Sequence, residues 1–237
     1  MIEVRNISKN FGKLEVLRNV NLSLAKGECI ALIGPNGCGK TTLIKSVLGM
    51  VIPSSGEIRV KDQPIRNSYN YRKDIGYMPQ IGRYPENMTI GQVIEMVREV
   101  RGLHDGLDES LMESFRLKAM FNKRMSTLSG GTTQKVSATL AFLFGPDILI
   151  LDEPTAGLDP LAAEILKEKI IEEKKKGKLI IITSHLLSEL DDLVTQVVFM
   201  QDGVVCFHHT IEELIKETGE AKISKAIASV LRKGGQK

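Results

Sequence analysis

Among the short runs of consecutive apolar residues along the chain are Cys29–Ile33, Ile148–Leu151 and Leu179–Ile182. Runs of four or five such residues, rich in Ile and Leu, suit strands covered on both faces, the usual situation in a parallel sheet. Between them the spacing becomes helical. Leu43, Ile44, Val47 and Leu48 fall on one helix face, and Gly49 follows as a C-terminal stop. Near the N-terminus the pattern alternates instead, at Ile2–Val4, Val20–Leu24 and Glu57–Val60, which predicts antiparallel strands with one buried face. From about Ile90 to Phe144 it is helical again. The expected fold class is α/β: a mostly parallel core sheet, a small antiparallel β subdomain and a helical subdomain insert over about residues 81–145. All of it is expected within one domain spanning residues 1–237, with no repeat or low-complexity linker to divide it.

Composition narrows the function classes. The chain is 42% hydrophobic, 26% charged and 5% aromatic, with no Trp, which excludes collagen-like, disordered and disulfide-scaffold proteins. No apolar stretch approaches the roughly 18 residues that would span a bilayer, and Met1–Arg5 is unlike a signal peptide. The expectation is a protein that neither crosses a membrane nor is secreted by an N-terminal signal. Cys29, Cys38 and Cys206 lie far apart without metal-ligand spacing, which suits a reducing cytoplasm. The net charge of +3 is too small to argue for nucleic acid. It is concentrated in the tail, residues 216–237, where six bases face two acids. There Ile223, Ile227, Val230 and Leu231 share a helix face, expected to pack or fray. The charge run from Lys167 to Lys178 reads as a solvated helix face, with Glu172 and Lys176 at pairing distance.

Gly34-Pro35-Asn36-Gly37-Cys38-Gly39-Lys40-Thr41-Thr42 fits the P-loop pattern and lies between a predicted strand and a predicted helix, the context that supports such a match. The glycines let backbone N–H groups turn inward as an anion nest, and the following helix points its positive end at the same place. Lys40 would reach the β- and γ-phosphates, and Thr41 would offer its hydroxyl to Mg²⁺. Cys38, inside the nest, is expected to be a reactive thiol that labels faster than Cys206, unless its side chain is simply turned away.

The strand Ile148–Leu151 ends in Asp152 and Glu153. Alone, the pair could be a solvated strand end capping the helix after Pro154. Beside a P-loop, Asp152 suits Mg²⁺ and Glu153 suits a general base for an attacking water. Leu128-Ser129-Gly130-Gly131 then supplies a second glycine-rich helix N-terminus with a hydroxyl cap. One nucleotide hardly needs two such anion sites from one chain.

These three motifs, in this order, resemble the ATP-binding-cassette family of ATPases over about residues 2–215. The resemblance implies a P-loop ATPase core that binds ATP and Mg²⁺. It gives Phe11 the role of stacking on adenine, although tyrosine is commoner there, with Val16 beside it. Gln80 becomes the residue that touches Mg²⁺ and the lytic water, Ala156–Asp159 the loop that crosses a dimer interface, and His185 the switch that contacts the γ-phosphate. Ser129, Gly130 and Gly131 would close on the ATP of a partner. Thr132 and Thr133 depart from the usual glutamine after the signature, which bears on the choice of partner.

The resemblance therefore implies the ATPase subunit of a transporter of the export type. It would work as a head-to-tail dimer with itself or a homologous subunit, bound peripherally to integral membrane permease subunits on the cytoplasmic face of the inner membrane. Arg83–Ile90 opens the insert, followed by Val93, Met96, Val97 and Val100, of which about half would pack inside and the rest would accept a helix of the permease. The alternative is a stand-alone ATPase of iron–sulfur cluster assembly, with the same motifs and no membrane partner. DNA-repair members place long coiled coils between P-loop and signature, and here Lys40 and Ser129 are only 89 residues apart.

Overall fold

The computed structural model describes residues 1–184 and 191–234. Two compact units form, one from residues 1–71 and 181–237, the other from residues 72–180. The division falls inside a fully buried strand, Leu179–Thr183.

In the first unit the alternating N-terminal segments become a four-stranded antiparallel sheet. Its strands are β1 (Ile2–Phe11), β2 (Leu14–Leu24), β4 (Ser55–Val60) and β5 (Gln63–Pro64), in the order β2-β1-β4-β5. The apolar residues Ile2, Val4, Ile7, Leu17, Val20, Leu22 and Leu24 are all buried, as period-2 patterning requires. The apolar run Cys29–Ile33 is strand β3, buried along its whole length. It pairs in parallel with β9 (Gln196–Gln201), which pairs antiparallel with β10 (Val204–Thr210). Helix α1 (Lys40–Val47) follows β3, and Gly49 adopts φ 66° just past its end, the C-terminal stop read from the sequence. The tail forms α6 (Ile211–Thr218) and α7 (Ile223–Gly234). α6 opens with a capping box between Thr210 and Glu213. Ile223, Ala226 and Ile227 are buried, so α7 packs along this face.

In the second unit β6 (Ile75–Met78) and β7 (Ile148–Asp152) pair in parallel, and β7 is buried throughout. The helical stretch resolves into α2 (Ile90–Arg101), α3 (Ser110–Ser114), short 3₁₀ turns and α4 (Gly130–Phe142), followed after β7 by α5 (Pro160–Lys175). α2 begins with a Thr89–Gln92 capping box and stops at Gly102. Its apolar residues split: Val93 and Ile94 are buried, whereas Met96 and Val100 are exposed, Val100 by 84%. Leu179–Thr183 is β8. Parallel pairing in both units, the small antiparallel sheet and the helices make the protein mixed α/β with a parallel-rich core.

The charge run of α5 is not a fully solvated face. Glu172 and Lys176 pair at 2.6 Å as their spacing predicts. Lys169 and Glu173, however, are only 5% and 1% exposed. Lys169 donates to Asp108 at 2.6 Å and lies 3.1 Å from Glu173, which also pairs with Lys176 and Lys178. Burial requires such partners, because a desolvated charge without them is costly.

Candidate functional site: a nucleotide-binding centre

The phosphate loop belongs to the first unit. Gly34, at φ 150°, leaves β3 so close to β9 that an added Cβ would lie 2.0 Å from the Met200 carbonyl oxygen. Gly203, in the turn between β9 and β10, donates its N–H to the Cys38 carbonyl at 3.1 Å and accepts from the Arg18 N–H at 2.8 Å. The loop is thus held by backbone contacts from β9 and β2. Gly39, at φ 107°, caps α1 without a side-chain hydrogen bond, so no side chain of the cap competes for the helix's first N–H groups. Lys40 folds over the same loop: its ammonium donates to the Gly34 carbonyl at 2.7 Å and the Pro35 carbonyl at 3.1 Å. Pro35, Asn36, Gly37 and Thr41 are exposed around it and Thr42 is half-buried. This arrangement concentrates an ammonium, loop N–H groups and a helix N-terminus on one spot, which suits phosphate oxygens.

Phe11 and Val16 stand in the hairpin of β1 and β2. Phe11 pairs with Leu14 across the strands, its ring is 50% exposed, and the Lys9 ammonium sits 4.9 Å from the ring centroid. The Val16 carbonyl comes close enough to Gly39 that an added Cβ there would be 2.9 Å away. Val16 therefore lies against the start of α1, and the exposed Phe11 stands in the same hairpin.

Cys38 overturns one expectation. Its side chain is only 3% exposed, with Sγ 3.8 Å from the Lys40 ammonium, while Cys206 is exposed. Reagents reach a thiol through solvent, so Cys206 is expected to label before Cys38.

The second unit carries the acids and the signature. Asp152 is the last residue of β7 and is buried. Tyr77 is pushed up to about 12, first by burial and then by the negative charge of Asp152. Glu153 has φ 50°, in the left-handed region that non-glycine residues rarely occupy, at a cost of about 1–2 kcal/mol. Its carbonyl accepts from the Ala156 N–H at 3.1 Å, so the chain turns sharply as it leaves the strand. The half-buried Glu153 thus follows the buried Asp152 directly. Gln80 lies just after β6 and is exposed. Past it, Tyr84 and Ser137 share a hydroxyl–hydroxyl hydrogen bond of 2.9 Å, tying this loop to α4; burial raises Tyr84 above the ordinary tyrosine value, with the Ser137 bond acting against it.

Ser129 caps α4, accepting from the Thr132 N–H at 3.3 Å, and its hydroxyl lies 2.9 Å from that of Thr132. Thr132, where glutamine was expected, so becomes a second hydroxyl at the cap. Gly130 faces open space, whereas an added Cβ on Gly131 would lie 2.7 Å from the Gly157 carbonyl oxygen. Asp159 caps α5 by accepting from the Ala162 N–H at 2.9 Å, and also accepts from Lys135 at 2.6 Å. That hydrogen bond, ahead of the Ala162 N–H, lowers the Asp159 carboxyl. Lys135 was not singled out from the sequence, because the pairing joins residues 24 apart across two elements. His185 lies outside the described residues.

Thr41 of the first unit offers a hydroxyl oxygen, and Asp152 and Gln80 of the second offer carboxylate and amide oxygens; each is a hard donor of the kind that Mg²⁺ takes.

A glycine-rich anion nest with its lysine, followed by an acid-ended buried strand, defines a nucleoside triphosphatase. The family model described as "ABC transporter" matches residues 17–156, and the chain belongs to that family, as an ATP-binding subunit and an ATPase. It is similar to the Nod factor export ATP-binding protein I of Bradyrhizobium sp. (strain SNU001), 30% identical over 91% of this chain and 72% of that protein. The same-named protein of Rhizobium etli (strain ATCC 51251 / DSM 11541 / JCM 21823 / NBRC 15573 / CFN 42) is 32% identical over 90% and 71%. Among solved structures, an ATP-binding subunit of an ABC transporter superposes with a TM-score of 0.90 at 29% identity, covering 96% of this chain and 98% of that one. A dimeric cassette in a post-hydrolysis state with ADP and Pi shares the fold, with a TM-score of 0.78 at 22% identity over 89% and 99%.

Proposed function

We propose that the protein powers export through separate membrane permease subunits by hydrolysing MgATP as a head-to-tail dimer. The observation that carries this reading is the second anion-binding helix N-terminus. Ser129, Gly130 and the start of α4 form a site that the chain's own P-loop leaves redundant. A second copy of the chain supplies the phosphate for it. The relatives named for export favour transport over a stand-alone role in cluster assembly. The exposed Met96, Val100 and Leu103 on and after α2 provide an apolar surface for the permease. The protein then sits peripherally on the cytoplasmic face of the inner membrane; no helix among the described residues is long and apolar enough to cross it.

In the proposed mechanism Phe11 and Val16 receive the adenine, while Lys40, the N–H groups of Gly37–Thr42 and the remaining loop residues hold the β- and γ-phosphates. When bound, Mg²⁺ offsets the negative charge of the phosphate oxygens. Thr41, Asp152 and Gln80 would hold it. Glu153 accepts a proton from water as the water oxygen bonds to the γ-phosphorus. The bond from that phosphorus to the β–γ bridging oxygen breaks, and ADP and phosphate leave. His185 and Gln80 sense the γ-phosphate and the lytic water. Ser129, Gly130 and Gly131 contact the γ-phosphate of the partner's ATP, and Asp159 faces the partner across the interface.

Mixing Lys40→Ala with Ser129→Arg chains tests the trans arrangement. Heterodimers, confirmed by crosslinking, contain one wholly intact composite site and one doubly damaged site. Activity that neither variant has alone is expected; verified heterodimers without it leave either a cis arrangement or obligatory coupling between the two sites. Co-purification of the native chain with an integral membrane protein from detergent extracts tests the transport role.

A further inference from the structure

We propose that Lys135 is a positioning residue that locks the Pro154–Asp159 loop onto the signature helix, so that one chain presents both to its partner as a single rigid block. The inference rests on the head-to-tail dimer proposed above, and its material is entirely within the second unit.

Three contacts converge on this loop. The Gly131–Gly157 approach leaves no room for a side chain, so the two backbones touch one residue after Gly130. Asp159 accepts from Lys135 at 2.6 Å while also capping α5 through the Ala162 N–H. Lys135 itself lies over the Phe115 ring at 5.9 Å, and its side chain is only 23% exposed against 52% for Asp159. The lysine is thus partly immobilised on the α3–α4 side, and Asp159 is immobilised by its own helix. An ion pair between two groups already held in place loses little side-chain freedom on forming, unlike most surface pairs.

The loop is equally constrained at its other end. The Ala156 N–H bonds back to Glu153, and the Leu158 N–H to Thr155 at 3.2 Å, so two successive turns connect the strained Glu153 to Asp159. A continuous set of short contacts then runs from Glu153, which serves the chain's own ATP, to Ser129, which serves the partner's. Among the described residues, loss of Lys135 removes the ion pair and leaves the backbone approach of Gly131 to Gly157, so loop and helix hold each other less firmly. Dimer closure must then order both surfaces, and that ordering weakens association.

The test uses the full chain carrying Glu153→Gln, which is expected to trap an ATP-bound dimer on a sizing column. In that background Lys135→Met should raise the ATP concentration for half-maximal dimerisation by about 5-fold, the scale of one well-placed ion pair. Asp159→Asn keeps the helix cap and should give a similar shift. The double variant should be no worse than the larger single one, and Lys135→Arg should restore the midpoint. The thermal midpoint of the nucleotide-free chain should move by no more than about 2–4 °C in all of them, since the pair is partly exposed.

Failure of Glu153→Gln alone to dimerise with ATP overturns the dimer reading. Dimerisation of that variant with a midpoint unchanged by Lys135→Met overturns the role of Lys135 and leaves the dimer standing. Additive effects of Lys135→Met and Asp159→Asn also overturn it, because the two residues would then act separately.

Discussion

The two units hold their glycine-rich helix starts by different means. In the first, the P-loop is enclosed by main chain: the Met200 carbonyl against Gly34, and Gly203 bonded to Cys38 and Arg18. In the second, the signature and its neighbours are held largely by side chains: the Ser129 cap, Lys135 on Asp159, Tyr84 on Ser137, and the Lys169–Glu173 cluster on α5. A loop held by backbone is insensitive to most substitutions and to pH, but intolerant of a Cβ. A surface held by hydroxyls and ion pairs responds to single charges and to acid. The first construction suits binding a phosphate within one chain, and the second suits a surface that must be met from outside.

The largest effect is expected at Glu153, the proposed base of the second unit. Glu153→Gln should retain ATP binding and lower turnover by about 10²- to 10⁴-fold, equivalent to roughly 2.7–5.5 kcal/mol of barrier. Single-turnover hydrolysis by the purified variant measures this, and near-native rates would remove Glu153 from the role of base.

Next is the contrast between the glycines. Gly34→Ala forces a Cβ against the Met200 carbonyl and should cost about 3 kcal/mol or more of stability. Gly130→Ala, in open space and without positive φ, should stay within about 1 kcal/mol of the native chain. Thermal unfolding distinguishes them; equal losses would erase the difference drawn between the two helix starts.

The ion cluster of α5 should confer an acid sensitivity that the P-loop lacks. Burial alone would raise Glu173 and Asp108, but hydrogen bonds from Lys176, Lys178 and Lys169 outweigh it at Glu173, and Lys169 and Ser110 do so at Asp108, leaving both below the usual carboxylate range. A depressed folded value means stabilisation that is complete above the unfolded value, about 4, and lost as pH falls through the folded one. Lys169→Met should therefore cost about 2 kcal/mol near neutrality, less than a fully unpaired buried charge because Glu173 keeps two lysines. It should also flatten the loss of stability below about pH 4. Thermal midpoints from pH 7 to pH 3 test this, and parallel curves for variant and native chain would exclude the cluster as the origin.

The smallest effect concerns thiols. Maleimide should modify Cys206 first and Cys38 slowly, with Cys38 slowed further by MgATP; peptide mapping follows both. Rapid modification of Cys38 would show that the enclosed P-loop opens far more often than its backbone contacts imply.

Much of this was legible in order along the chain. The buried strands β3, β7 and β8 declared themselves as apolar runs, and the antiparallel layer by its alternation. The helix starts at Lys40 and Gly130 were marked by their glycines. Strand β6 was hidden by Gly76 in its middle, a residue that weakens strand patterning. There it serves packing, since a Cβ would lie 2.0 Å from the Ala141 carbonyl oxygen. Strand β10 opens on the apolar Val204–Phe207 but ends in two histidines and a threonine; His208 lies beside Gln196, where burial lowers its basicity.

By itself, then, the sequence singled out the candidates for binding phosphate and taking a proton, because that chemistry depends on residue type at short, fixed spacing. Only the tertiary structure decided that Cys38 is buried, that Lys169 and Glu173 turn inward, that Glu153 is held at positive φ, and that Lys135 reaches Asp159. Each of these depends on what a distant segment places against the residue, and the spacing of neighbours along a chain carries no record of such approaches.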